Sequence, residues 1–109
     1  MKKQAAIQAL SALAQEARLD IFRLLVRAGV EGHPAGQIGK ALGVPAATLS
    51  FHLKELKNAG IVTCRREGRS LIYGPNFDAM KDLLSFLTES CCQGVEVSTP
   101  RRTAARRAS

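Results

Sequence analysis

No apolar run in this 109-residue chain approaches the ~20 residues needed to cross a membrane as a helix. Catalytic signatures are absent as well. There is no Cys-x-x-Cys, no nucleophile–base pair and no cofactor loop, so an enzyme is not expected. Histidine is scarce: His33 and His52 stand alone and make no zinc site. Three cysteines are too few for a disulfide framework, and in a cytosolic chain they point to free, ligating or redox-active thiols. Met1-Lys2-Lys3 leads into Gln4-Ala5-Ala6 and not into an apolar leader core, so a cytoplasmic location is expected. No internal repeat is visible.

Hydrophobic residues make up 46% of the chain, which predicts a folded domain, and the length allows one modest core. The net charge of +7 favours an anionic partner such as nucleic acid. Four of those charges, Arg101, Arg102, Arg106 and Arg107, fall within the last nine residues, so the body alone is only weakly basic.

Ile7, Leu10 and Leu13 recur at steps of three and predict a helix over 3–14. A second helix over 16–28 carries Leu19, Ile21, Phe22, Leu24, Leu25 and Val26, apolar enough to be the central core element. Gly29 and Gly32 end it, and His33-Pro34 reads as a turn. A short helix then carries Ile38 and Leu42 and stops at Gly43. After Val44-Pro45 a further helix spans 46–59, with Leu49, Leu53 and Leu56 on its inward face and Ser50, Lys54 and Lys57 opposite. Two short helices joined this way form a helix-turn-helix pattern.

Residues 61–67 and 69–74 read as two strands of a hairpin with Arg65, Arg66 and Arg69 near its tip, the wing of a winged helix-turn-helix. Asn76 is placed to cap a last helix bearing Phe77, Met80, Leu83, Leu84 and Leu87 on one stripe. The expected architecture is therefore mainly α, about five helices plus a two-stranded wing. The terminal stripes (Ile7, Leu10 and Leu13; Met80, Leu83, Leu84 and Leu87) are expected to form a homodimer interface. Residues 1–94 form the domain; 95–109 read as a polar, basic, disordered tail, either solubilising or a nonspecific DNA arm.

Candidate DNA contacts lie on the first half of helix 46–59. Thr48 and Ser50 are suited to bases or phosphates, and Ala46, Ala47 and Phe51 to thymine methyl groups. Lys54, Lys57, Arg65, Arg66 and Arg69 are suited to the backbone or, for the wing, the minor groove. His52 lies at the edge of the packed face, in reach of this surface but better suited to a structural hydrogen bond. Each cation also has the plain reading of a solvated surface charge.

The adjacent thiols Cys91 and Cys92, at the end of the last helix, are the candidate site for a soft ion. Cys91, four residues after Leu87, would continue the apolar stripe, with Cys92 turned about 100° away, so that closing both on one ion would strain the last turn. Cys64, in the first wing strand, reads as a half-buried strand residue rather than a ligand.

LSALAQEARLDIFRLL at 10–25, QIGKALGV at 37–44, ATLSFHLKELKNAGIV at 47–62 and RREGRSLIY at 65–73 resemble the ArsR-type winged-helix repressors, over roughly residues 5–92. Glu16 replaces a frequent proline of that family and suits a helix's first turn. The resemblance implies a dimeric, metal- or metalloid-responsive regulator that binds an inverted repeat in double-stranded DNA. Family sites built on cysteines of the first reading helix, or on Asp and His of the last helix, are absent: no cysteine lies in 37–42 and no histidine in 76–92. Cys91-Cys92-Gln93-Gly94 resembles the type that senses trivalent arsenic. Some such sensors carry a third cysteine beyond the pair, whereas here Ser98 lies in that segment and no cysteine follows Cys92. Two thiols match the two open valences of methyl- or phenylarsenite better than the three of arsenite. No resident cofactor is expected; arsenite, an organoarsenical or antimonite would be the inducer. The alternatives are a thiol redox sensor of the same fold and a small dithiol metallochaperone.

Overall fold

Alanine at every third position lets the first helix, α1 (Lys3–Leu13), lie close to its neighbours: Ala6, Ala9 and Ala12 are all buried. The computed structural model describes residues 1–94, and the expected tail at 95–109 lies outside the described residues. α2 (Glu16–Ala28) begins where the Gln15 side chain accepts the Arg18 N–H at 2.9 Å, with Glu16 in the first turn where a negative charge is favoured. It buries Ile21, Phe22 and Leu25. Ile21 and Leu25 join Ile38, Leu53, Leu56 and Ile61 as the fully buried centre of the core. Each such side chain contributes roughly 1.5–3 kcal/mol through its removal from water.

A 3-10 turn (Gly29–Glu31) leads to Gly32 and then to a two-residue strand, β1 (His33–Pro34). Pro34 precedes α3 (Ala35–Leu42), which closes on Gly43 in the left-handed conformation expected of a helix stop. α4 (Ala46–Asn58) follows at once, its inward face formed by Leu49, Leu53 and Leu56. β2 (Val62–Glu67) and β3 (Ser70–Pro75) pair antiparallel from Val62 opposite Pro75 to Glu67 opposite Ser70, with a two-residue loop between them. The Asn76 side chain accepts the Ala79 N–H at 3.1 Å and donates to the Gly60 carbonyl at 2.9 Å, so one residue caps α5 (Phe77–Leu87) and ties it to the base of the wing.

The architecture is the expected winged helix-turn-helix, with three differences. The sheet has three strands in the order β1-β3-β2, because His33 and Pro34 pair with Tyr73 and Ile72 instead of forming a simple turn. A Cβ on Gly32 would meet the Tyr73 carbonyl oxygen at 2.6 Å, and Gly32 has φ +73°, so the approach of β1 to β3 depends on glycine there.

The terminal apolar stripes are also divided. Leu83 is buried in the protomer, while Leu13 and Met80 are half-buried and pack partly against the chain's own core. Ile7, Leu10, Leu84 and Leu87 remain exposed, and α1 touches α5.

The third difference is that α5 stops before the cysteines. Both the N–H and the hydroxyl of Thr88 donate back to the Leu84 carbonyl, at 3.1 and 2.8 Å, and Ser90 then turns with φ +61°. Cys91 and Cys92 therefore sit in a turn beyond the helix. The expected continuation of the Leu87 stripe through Cys91 does not hold, and there is no last helical turn at the thiols to unwind.

Candidate nucleic-acid interface and thiol pair

The two faces of α4 differ sharply. Leu49, His52, Leu53 and Leu56 are buried; Ala46, Ala47, Thr48, Ser50, Phe51, Lys54 and Lys57 are exposed. The turn that sets this helix against α3 is held by the Val44 N–H donating to the Gly39 carbonyl at 3.0 Å. Gly39 packs closely there: an added Cβ would lie 3.1 Å from the Val44 carbonyl oxygen. The outward row thus combines short side chains, hydroxyls, one aromatic ring and two cations, a mixture suited to base edges and phosphates.

His52 does not belong to that row. It is only 8% exposed, and its Nδ1 lies 3.4 Å from Nη1 of Arg18, a long hydrogen bond that requires an unprotonated Nδ1. Arg18 also donates through Nε to the Ala12 carbonyl at 2.7 Å. One guanidinium in the first turn of α2 therefore joins the C-terminal end of α1 to the underside of α4. Sequence reading missed Arg18, since nothing in its local pattern separates a bridging arginine from a solvated one.

On the wing, Arg65 is engaged within the chain. Its Nε pairs with Glu67 Oε2 at 2.8 Å, while Nη2 and Nη1 donate to the carbonyls of Glu31 and Val30 at 2.9 and 3.4 Å. It fastens the wing to the 3-10 turn, while its side chain stays about half exposed. Arg66 and Arg69 are exposed, and neither forms an ion pair among the described residues.

Cys64 is half-buried on β2 opposite Tyr73. Burial, with the Cys64 thiol adding to it, pushes the Tyr73 phenol above its ordinary value. Cys91 and Cys92 are both exposed, with their sulfurs side by side, so the reduced protein presents two neighbouring thiols. Among the described residues no group of three His, Cys, Asp or Glu side chains is placed to hold an ion. Among them, too, no helix is long and apolar enough to cross a membrane.

A helix with a packed underside and a polar, cationic outer row, followed by a wing, defines a winged helix-turn-helix protein. A helix-turn-helix domain family matches residues 13–65. NolR, a nodulation protein of Rhizobium meliloti, is 31% identical over 80 residues, covering 73% of this chain and 63% of NolR. HlyU from Vibrio cholerae is 30% identical with a TM-score of 0.61, covering 80% of this chain and 97% of HlyU. A homodimeric winged helix-turn-helix DNA-binding domain from Mycobacterium bovis, described as a possible ArsR-family regulator, is 29% identical with a TM-score of 0.66, covering 78% and 77%. The chain is thus similar to winged helix-turn-helix DNA-binding proteins, one of them a possible ArsR-family regulator. It spans just under two thirds of the length of the curated relatives it matches.

Proposed function

We infer that the protein is a homodimeric repressor that binds an inverted repeat and releases it when a trivalent arsenical closes on Cys91 and Cys92. The DNA half of this reading rests on the outward row of α4. Ala46, Ala47, Thr48, Ser50 and Phe51 are positioned for the major groove, Lys54 and Lys57 for phosphates, and Arg66 and Arg69 for the backbone beside the wing. A second copy would cover Ile7, Leu10, Leu84 and Leu87, and a two-fold pair reads two half-sites about one helical turn apart.

The observation that carries the inducer half is the exposed pair of adjacent cysteines with no third ligand grouped beside it among the described residues. In the reduced protein each thiol exchanges with one As–OH group: an As–S bond forms, an As–O bond breaks, and the thiol proton leaves with hydroxide as water. Methyl- or phenylarsenite is fully satisfied by two such exchanges, which favours organic over inorganic arsenic; antimonite has the same softness. Because the pair lies in the turn after α5, the ion acts by reshaping that turn. α5 touches α1, so the change reaches the exposed apolar layer and, through it, the spacing of the two α4 helices. Such coupling is typically about 1–3 kcal/mol.

Two adjacent exposed cysteines also support a second reading, a thiol redox sensor of the same fold. Fluorescence anisotropy on the inverted repeat upstream of the gene separates the two, with arsenite, methylarsenite, phenylarsenite, antimonite and peroxide titrated in turn. Release by trivalent arsenicals, organic forms strongest, and its loss in Cys91→Ser, supports the arsenical sensor. Release by peroxide alone moves the protein to the redox class.

A further inference from the structure

Phe51 is the only large apolar side chain on the outward face of α4, and it is 55% exposed. A single exposed apolar side chain is ordinary on a protein surface; what singles out Phe51 is its place on the outer row of the second helix of the helix-turn-helix. Its helical neighbours are the exposed Ala47, Thr48 and Lys54 and the half-buried Glu55, so short side chains flank the ring on one side and an exposed cation lies one turn on. The short side chains of Ala46 and Ala47 let this end of the helix approach closely. Within the major groove, the apolar feature offered at a base edge is the 5-methyl group of thymine. The ring is also braced from below: its centroid is 5.7 Å from that of His52, tilted by 60°, and His52 is held in turn by Arg18.

We propose that Phe51 is a specificity-determining residue that reads a thymine 5-methyl group in each half-site. The proposal rests on the DNA-binding reading above. The test uses the full chain and a duplex selected by the wild-type protein from a random-sequence pool. Each thymine of one half-site is replaced in turn by deoxyuridine, which removes only the methyl group, and binding is followed by anisotropy. At one position the wild type should lose roughly fourfold in affinity, the worth of one buried methyl group. Phe51→Ala should bind the thymine and uracil duplexes equally there, and Phe51→Leu, which keeps an apolar contact, should retain part of the discrimination. Phe51 is exposed, so both variants should keep the wild-type circular dichroism spectrum. A uracil profile identical in wild type and Phe51→Ala, or a wild type indifferent to every replacement, overturns the proposal and leaves the DNA-binding reading intact. Failure of the wild type to enrich any duplex overturns both.

Discussion

Arg18 in the first turn of α2 reaches the buried His52 on the underside of α4, Nη1 to Nδ1 at 3.4 Å, while its Nε holds the Ala12 carbonyl at 2.7 Å. Three helices meet at one guanidinium. Arg18→Ala strands a part-buried carbonyl and a ring nitrogen at once, so it should cost about 1–3 kcal/mol, the usual cost of leaving such groups unpaired. Arg18→Lys keeps the charge but not the fork, and should fall between Ala and wild type. Urea unfolding measures both; an Arg18→Ala midpoint equal to wild type would show that water replaces the bridge without cost.

Glycine at position 32 is required for a different reason from glycine at 29, although both have φ +73°. Around Gly29 an added Cβ meets nothing within 4 Å, so Gly29→Ala carries only the cost of a backbone region open almost only to glycine (φ +73°, ψ −151°), about 1–3 kcal/mol. At Gly32 the same Cβ would meet the Tyr73 carbonyl oxygen at 2.6 Å and an Ile72 methyl at 2.9 Å. Gly32→Ala should therefore be the more destabilising of the two and should loosen β1 from β3. Thermal unfolding gives the ranking, and amide exchange at the β1–β3 pairing locates the damage.

These contacts mark how far the sequence could be read. Leu49, Leu53 and Leu56 repeat at helical spacing, and Asn76 precedes an apolar helix, so α4 and the α5 cap were legible from local pattern alone. β1 was not, because two residues cannot display an alternation and only the facing Tyr73 and Ile72 make them a strand. Periodicity likewise could not separate Leu83 from Leu84, one position apart on a wide stripe, nor show that Thr88 ends α5 before the thiols. The candidate interface was legible as a row of residue types. That His52 is buried and that Arg65 is tied to the 3-10 turn depends on Arg18, Val30 and Glu31, which are distant in sequence.

Leu83 and Leu84 should behave oppositely. Leu83 is buried in the protomer, so Leu83→Glu places a charge in the core and should unfold the domain. Leu84 is 56% exposed, so Leu84→Glu should leave the circular dichroism spectrum unchanged. If a second copy covers this face, the substitution removes an apolar contact in both protomers and weakens the dimer by at least about tenfold. Sedimentation equilibrium reads the outcome; a Leu84→Glu protein as dimeric as wild type would place the interface elsewhere.

The wing arginines separate in the same way. Arg65 is held by Glu67 and by the carbonyls of Val30 and Glu31, whereas Arg66 and Arg69 are exposed. Its ion pair with Glu67 is half in solvent and contributes at most about 1 kcal/mol, so its main effect is to fix the wing against the 3-10 turn through the carbonyls. A cation that neutralises a phosphate releases counterions, and its loss lowers the slope of log affinity against log salt by about 1 per contact. Arg66→Ala and Arg69→Ala should each show that reduction while leaving the unfolding midpoint unchanged. Arg65→Ala should do the reverse, lowering the midpoint with the salt slope near wild type. Anisotropy titrations at several salt concentrations, paired with urea unfolding, give both quantities. A reduced slope for Arg65→Ala at unchanged stability would show that Arg65 leaves its carbonyl partners for the DNA backbone when the duplex binds.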